Sequence, residues 1–197
     1  MNLKLVFSVA ASVVSIVAYY PYIRDIFRKK TKPHIYTWLI WSIISGIAVG
    51  GIFLGDDSVE SIVGIVTIFL LDTFIAILAI KFGTKNITYI DTVAMLVSLV
   101  GIAVWLKMDN LLLALILITV IDLISYFPTY RKSWSNPEEE TVSYWLLMSF
   151  GYGLIIPSLA SYNFFTTFYV TCMTIASFGL VIVLKVRNYV RLKKTNL

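Results

Sequence analysis

The chain has 197 residues, 59% of them hydrophobic and only 14% charged, with a formal net charge of +5. A water-soluble domain of this size needs far more charge to cover its surface, so the composition excludes that class. One histidine, His34, and one cysteine, Cys172, leave nothing for a His-rich metal site or an internal disulfide.

Hydrophobic runs recur along the whole sequence. They predict an all-α polytopic membrane bundle of seven transmembrane helices at roughly 3–25, 34–54, 60–82, 88–106, 110–130, 141–160 and 164–186. Each run is about 20 residues, enough for a helix to cross about 30 Å of hydrocarbon. The first run continues into a motif that returns later in the chain and has no small-residue cleavage pattern after it. It therefore reads as a span and not as a cleavable signal.

Span 1 carries Ser8, Ser12, Ser15 and Tyr19 on one helical face and ends near Pro21. A basic loop follows, and span 2 opens with Trp38 and Trp41 ahead of Ser42 and Ser45. Span 3 holds Thr67 and Asp72, and span 4 has Asp91 near its start. Span 5 holds Thr119, Asp122, Tyr126 and Pro128. A loop containing Glu138, Glu139 and Glu140 leads to span 6, with Trp145, Ser149 and Tyr152. Span 7 carries Thr167, Thr171 and Thr174.

These elements contain a repeat with an offset of 107 residues. Tyr19-Tyr20-Pro21 returns as Tyr126-Phe127-Pro128, and Thr37-Trp38-Leu39 as Tyr144-Trp145-Leu146. At the same offset Ser12, Ser15, Ser42 and Ser45 match Thr119, Asp122, Ser149 and Tyr152. A polar face is thus duplicated along with the hydrophobic pattern. Residues 1–86 and 109–197 form the two copies, with 87–108 as a linker span. An odd span count makes the copies parallel, related by an axis along the membrane normal.

The basic residues give the orientation. Arg24, Arg28, Lys29, Lys30, Lys32, Lys81, Lys85, Arg131, Lys132, Lys185, Arg187, Arg191, Lys193 and Lys194 all fall on one side of seven spans. Only Lys4 and Lys107 fall on the other, beside Asp56, Asp57, Glu60 and Asp109. The positive-inside rule puts the N-terminus outside and the C-terminus in the cytoplasm, with the plasma (cell inner) membrane as the default location. The net positive charge then needs no nucleic-acid explanation.

Polar groups in hydrocarbon are costly unless paired, so the matched stripes are expected to face the bundle interior. Any single Ser or Thr there also fits a plain structural role, bonding its own backbone or a neighbouring helix. Asp72 and Asp122 are the sharper signals, because a carboxyl at bilayer depth must be neutral or partnered. Their candidate roles are proton carrier, cation or amine ligand, and hydrogen-bond donor to a polar substrate. Pro21 and Pro128 each remove a backbone hydrogen bond and suit paired hinges. Trp38 and Trp145, matched by the repeat, fit an inner gate better than plain membrane anchoring.

A helix ending in Pro21-Tyr22, a basic loop with Lys29-Lys30-Thr31 and a second span resembles the PQ-loop superfamily; Pro128-Thr129 supplies the second copy. The 3+1+3 order is similar to that of the SWEET sugar transporters. The glutamine of the Pro-Gln pair is missing from both copies, and the chain has no glutamine at all. The Trp and Asn that grip sugar in many SWEET-type pockets also lack counterparts. The resemblance implies the bundle, a central cavity and alternating access, without sugar specificity.

The expected function is small-solute transport. The substrate-binding candidates are Ser15, Ser45, Thr67, Asp72, Asp122, Tyr152, Thr171 and Thr174. The gate and hinge candidates are Tyr19, Pro21, Trp38, Tyr126, Pro128 and Trp145. The expected partners are a small-molecule substrate and the lipid bilayer, with self-association left open; no metal, cofactor or nucleic acid is expected. The rival reading is a receptor or sorting module on the same fold, contacting a partner through the acidic loop. An enzyme ranks third, since one histidine leaves little from which to build a nucleophile–base pair.

Overall fold

The computed structural model describes residues 3–53 and 59–195. Asp56 and Asp57 lie outside the described residues, as do the side chains of Glu60 and Lys194. Among the described residues the chain is all-helical, with seven α-helices and no strand: α1 (Leu3–Phe27), α2 (Ile35–Phe53), α3 (Val59–Phe82), α4 (Tyr89–Trp105), α5 (Leu111–Ser135), α6 (Val142–Ser158) and α7 (Phe164–Thr195). A single 3-10 turn at Pro137–Glu139 separates α5 from α6.

Local sequence explains several helix ends. α1 stops in a Schellman turn: Lys29 takes φ 58°, its N–H donates to Ile26 O, and Lys30 N–H donates to Asp25 O. α4 opens with a capping box between Thr88 and Asp91. Asn110 caps α5 by accepting from Leu113 N–H. Two helices run past the expected span ends, α5 to Ser135 and α7 to Thr195. The hydropathy pattern marks where apolar side chains stop, whereas backbone hydrogen bonding continues through Arg131 and Lys132. Pro21 and Pro128 therefore lie inside helices, not at their ends.

Four helices contain stretches long and apolar enough to cross a membrane: Leu3–Phe27, Val63–Phe82, Leu111–Ser135 and Phe164–Lys193. The other three offer shorter apolar stretches, Ile35–Gly50, Tyr89–Trp105 and Val142–Ser158. Val13, Leu70, Ile77, Val100 and Ile175 are each more than half exposed. An outer surface of this kind fits lipid and not water, so the fold is that of a membrane protein.

Six helices close a ring of neighbours. α1 packs on α6, α6 on α7, α7 on α5, α5 on α2, α2 on α3 and α3 on α1. α4 stays outside the ring, against α5 and α2. Its apolar seam is built from Ile102 against Ile40 and Ile121, supported by Leu117 and Trp105.

The basic connections gather at one end. Thr84 N–H donates to Pro33 O, Arg131 pairs with Asp91, Lys32 pairs with Glu139, and Arg187 donates to Trp134 O. At the opposite end Lys4 Nζ donates to Ala160 O. Odd-numbered helices run toward the basic end, and even-numbered ones run away from it.

Burial is lopsided along this axis. Among the described side chains the first buried residue is Asp72 on α3, Thr119 on α5 and Val170 on α7. On α2 none follows Ile40 up to Gly50, and on α6 none follows Gly151. The basic half is a packed core; the opposite half is loosely packed.

The α1–α6 contact depends on one close approach. A Cβ on Gly151 would sit 2.5 Å from Ser15 Oγ, with Ala11 O also near. Small residues let membrane helices approach in this way. Gly151→Leu is expected to force α1 and α6 apart and to cost about 1–3 kcal/mol, the usual range for overpacking. A fall in the thermal unfolding midpoint in detergent reads this out, and Gly50→Leu is the control, because a Cβ there meets nothing within 4 Å.

Candidate functional site

An aromatic layer fills the packed half just inside the basic end. Tyr22 from α1 stacks on Tyr144 from α6 with ring centres 4.6 Å apart, and on Trp38 from α2 at 5.0 Å. Trp41 meets Tyr126 from α5 at 4.8 Å, and Tyr126 meets Trp145 at 5.7 Å. Trp38 and Trp145 are both completely buried. Four ring helices thus contribute to one continuous plug. Its repeat-related tryptophans are not alike: Trp38 Nε1 donates to Tyr22 Oη at 3.3 Å, whereas Trp145 Nε1 has no hydrogen-bond partner.

The two intramembrane acids lie beside this plug. Tyr19 Oη donates to Asp72 Oδ1 at 2.7 Å, and Tyr169 Oη donates to Asp122 Oδ2 at 2.8 Å. Both carboxyls are buried, at 5% and 4% exposure. Asp72 comes from α3 and Asp122 from α5. Among the described residues no ion pair involves either acid. Each keeps acceptor capacity beyond its tyrosine: Ser45 Oγ reaches Asp72 Oδ2 only at 3.4 Å, and no protein donor meets Asp122 Oδ1.

The remaining sequence candidates divide. Tyr19, Trp38, Tyr126 and Trp145 join the aromatic layer, and Tyr152 packs half-buried against it. Ser15 sits at the α1–α6 contact beside Gly151. Ser45 Oγ donates chiefly to Trp41 O at 2.7 Å, and Thr174 Oγ1 to Val170 O at 2.7 Å. Thr67 and Thr171 do not converge on the acids. Thr67 shares a face with exposed Val63, Leu70 and Phe74, and its hydroxyl is spent on Val63 O. Thr171 is exposed in line with Ile175 and Phe178. A threonine that bonds its own i−4 carbonyl needs no polar partner, so spacing alone does not reveal which way it faces.

Four residues the sequence reading missed matter here: Tyr22, Tyr144, Tyr169 and Ser177. Tyr126 Oη and Ser177 Oγ are hydrogen-bonded at 2.9 Å. This bond resembles Tyr19–Asp72: Tyr126 lies 107 residues after Tyr19, and Ser177 lies 105 residues after Asp72. The acidic loop is also not a free surface. Glu138 pairs with Arg191, Glu139 with Lys32 and Glu140 with Lys132. A surface cleft of about 620 Å³ beside the α4–α5 turn, lined by Val100, Val104, Lys107 and Asn110, is remote from both acids.

No protein-family model, curated protein or solved structure matches this chain. What the site can do is therefore read from its own chemistry. Two carboxyls with spare lone pairs, the two tyrosine hydroxyls bonded to them and a neighbouring aromatic layer suit a small polar or cationic solute.

Proposed function

We propose that this chain is a small-solute membrane transporter of the PQ-loop, SWEET-like kind, working by alternating access between two parallel three-helix repeats joined by α4. The ring of neighbours supports the repeat reading. Adding the offset sends α1, α2 and α3 to α5, α6 and α7, and the ring maps onto itself. The gathered basic connections support an orientation with that end in the cytoplasm and the N-terminus outside, and the plasma membrane is the default host in this reading. In this reading all seven helices span the bilayer, and the shorter ones do so where neighbours shield their ends.

One observation carries the proposal. Asp72 on α3 and Asp122 on α5, one from each half, each accept a hydrogen bond from a tyrosine, Tyr19 and Tyr169, at the boundary between a sealed half and a loosely packed half. A solute entering from the loose side would reach both acids and stop at the aromatic floor. That is a state open to the outside and closed to the cytoplasm. The rival reading is a receptor or sorting module that contacts a partner through the acidic loop, where Glu139 and Glu140 are engaged by Lys32 and Lys132 while Glu138 and Arg191 stay exposed.

The test is uptake of a panel of small polar and cationic metabolites into proteoliposomes, with and without a pH gradient. Saturable flux of at least one solute is expected. Folded protein that moves none of them would sink the proposal.

A further inference from the structure

Lys132, near the end of α5, is completely buried. Its ammonium donates to Lys32 O at 2.7 Å, to Glu139 O at 3.0 Å and to Glu140 Oε2 at 2.5 Å. Lys32 and Glu139 are 107 residues apart, so the two carbonyls are repeat-equivalent. The two residues also touch directly, with Lys32 N–H donating to Glu139 O at 3.0 Å. Equivalent positions of two copies meet only on the axis that relates the copies. One cation therefore sits on that axis and binds the α1–α2 loop to the α5–α6 loop.

We propose that Lys132 is the latch of the cytoplasmic seal: its ammonium clasps two equivalent carbonyls, and releasing that clasp opens this end. The inference rests on the transporter reading above. Three tetrahedral donors with no acceptor suit two carbonyls and one carboxylate, and no other side-chain type offers that set. Other ion pairs at this end are poor latches. Lys32–Glu139 and Arg191–Glu138 are partly exposed, where pairing contributes little. Lys132 and Glu140 are different because both are sealed from water. Truncating Lys132 takes the donor away from two backbone carbonyls and a buried carboxylate at once, so the closed state loses its clasp. When the loops separate, water returns to both charges.

Thr31 and Thr141 provide the readout. Their hydroxyl oxygens lie 2.5 Å apart across the same two loops. Thr31→Cys and Thr141→Cys, combined with Cys172→Ser, are expected to form a disulfide under mild oxidation whenever this end is closed. Lys132→Met should slow that crosslinking several-fold, measured as loss of maleimide-reactive thiols. Lys132→Met with Glu140→Gln should do the same without leaving a buried charge, which guards against misfolding of the single variant. An equal or faster crosslinking rate in either folded variant overturns the latch. The readout needs no flux, so its failure is distinct from failure of the transport reading.

Discussion

Asp72→Asn and Asp122→Asn are each expected to leave the bundle assembled and to reduce solute flux by about tenfold to hundredfold. That range corresponds to one hydrogen bond to a charged group, about 1.5–3 kcal/mol. Asparagine keeps the shape and can still accept from Tyr19 or Tyr169, so the tyrosine contacts should survive. What it loses is charge and proton exchange. The two sites should also differ. Asp72 has a second, weak donor in Ser45, whereas Asp122 relies on Tyr169 alone. If Asp122→Asn removes only the dependence on a pH gradient, Asp122 carries the coupling proton and Asp72 the solute. Thr67→Val and Thr171→Val serve as controls, since both residues face away from the acids, and neither should change flux. Proteoliposome uptake measures all four. Full flux in both asparagine variants would remove the acids from the site.

Trp38→Ala should be the most damaging single change in the plug. Deleting a fully buried aromatic side chain typically costs about 3–5 kcal/mol, and Trp38 packs on Tyr19, Tyr22, Trp41 and Tyr144. Its loss should also open a leak through the sealed end, read as dye efflux from loaded vesicles. Phenylalanine substitutions separate packing from hydrogen bonding. Trp38→Phe forfeits the bond to Tyr22, whereas Trp145→Phe forfeits none. Trp38→Phe should therefore be less stable than Trp145→Phe by about 1 kcal/mol, one net hydrogen bond. Thermal unfolding in detergent makes the comparison. Equal losses would mean that the Trp145 indole has an acceptor after all.

Asp72 and Asp122 were legible in the sequence because a carboxyl in an apolar run is conspicuous whatever surrounds it. Trp38 and Trp145 were legible because the repeat named them twice. Tyr22, Tyr144 and Tyr169 were not, since a tyrosine in a membrane helix reads equally well as interface, core or ligand. Ser177 was not legible either, because it lies 105 residues after Asp72, off the 107-residue spacing, and only its hydrogen bond to Tyr126 brings it to notice. Thr67 and Thr171 show the opposite error. They fit a polar stripe by spacing, yet a self-bonded or lipid-facing hydroxyl satisfies the same spacing.

The sequence by itself determined the helices, their order and the side on which the charges collect. Those properties follow from hydropathy and backbone hydrogen bonding, which act over a few turns of one segment. The tertiary structure alone decided which half is sealed, which hydroxyls reach the acids and where the buried ammonium of Lys132 is spent. Each of these depends on helix rotation and on contacts between residues roughly 50 to 110 positions apart, which no local pattern records.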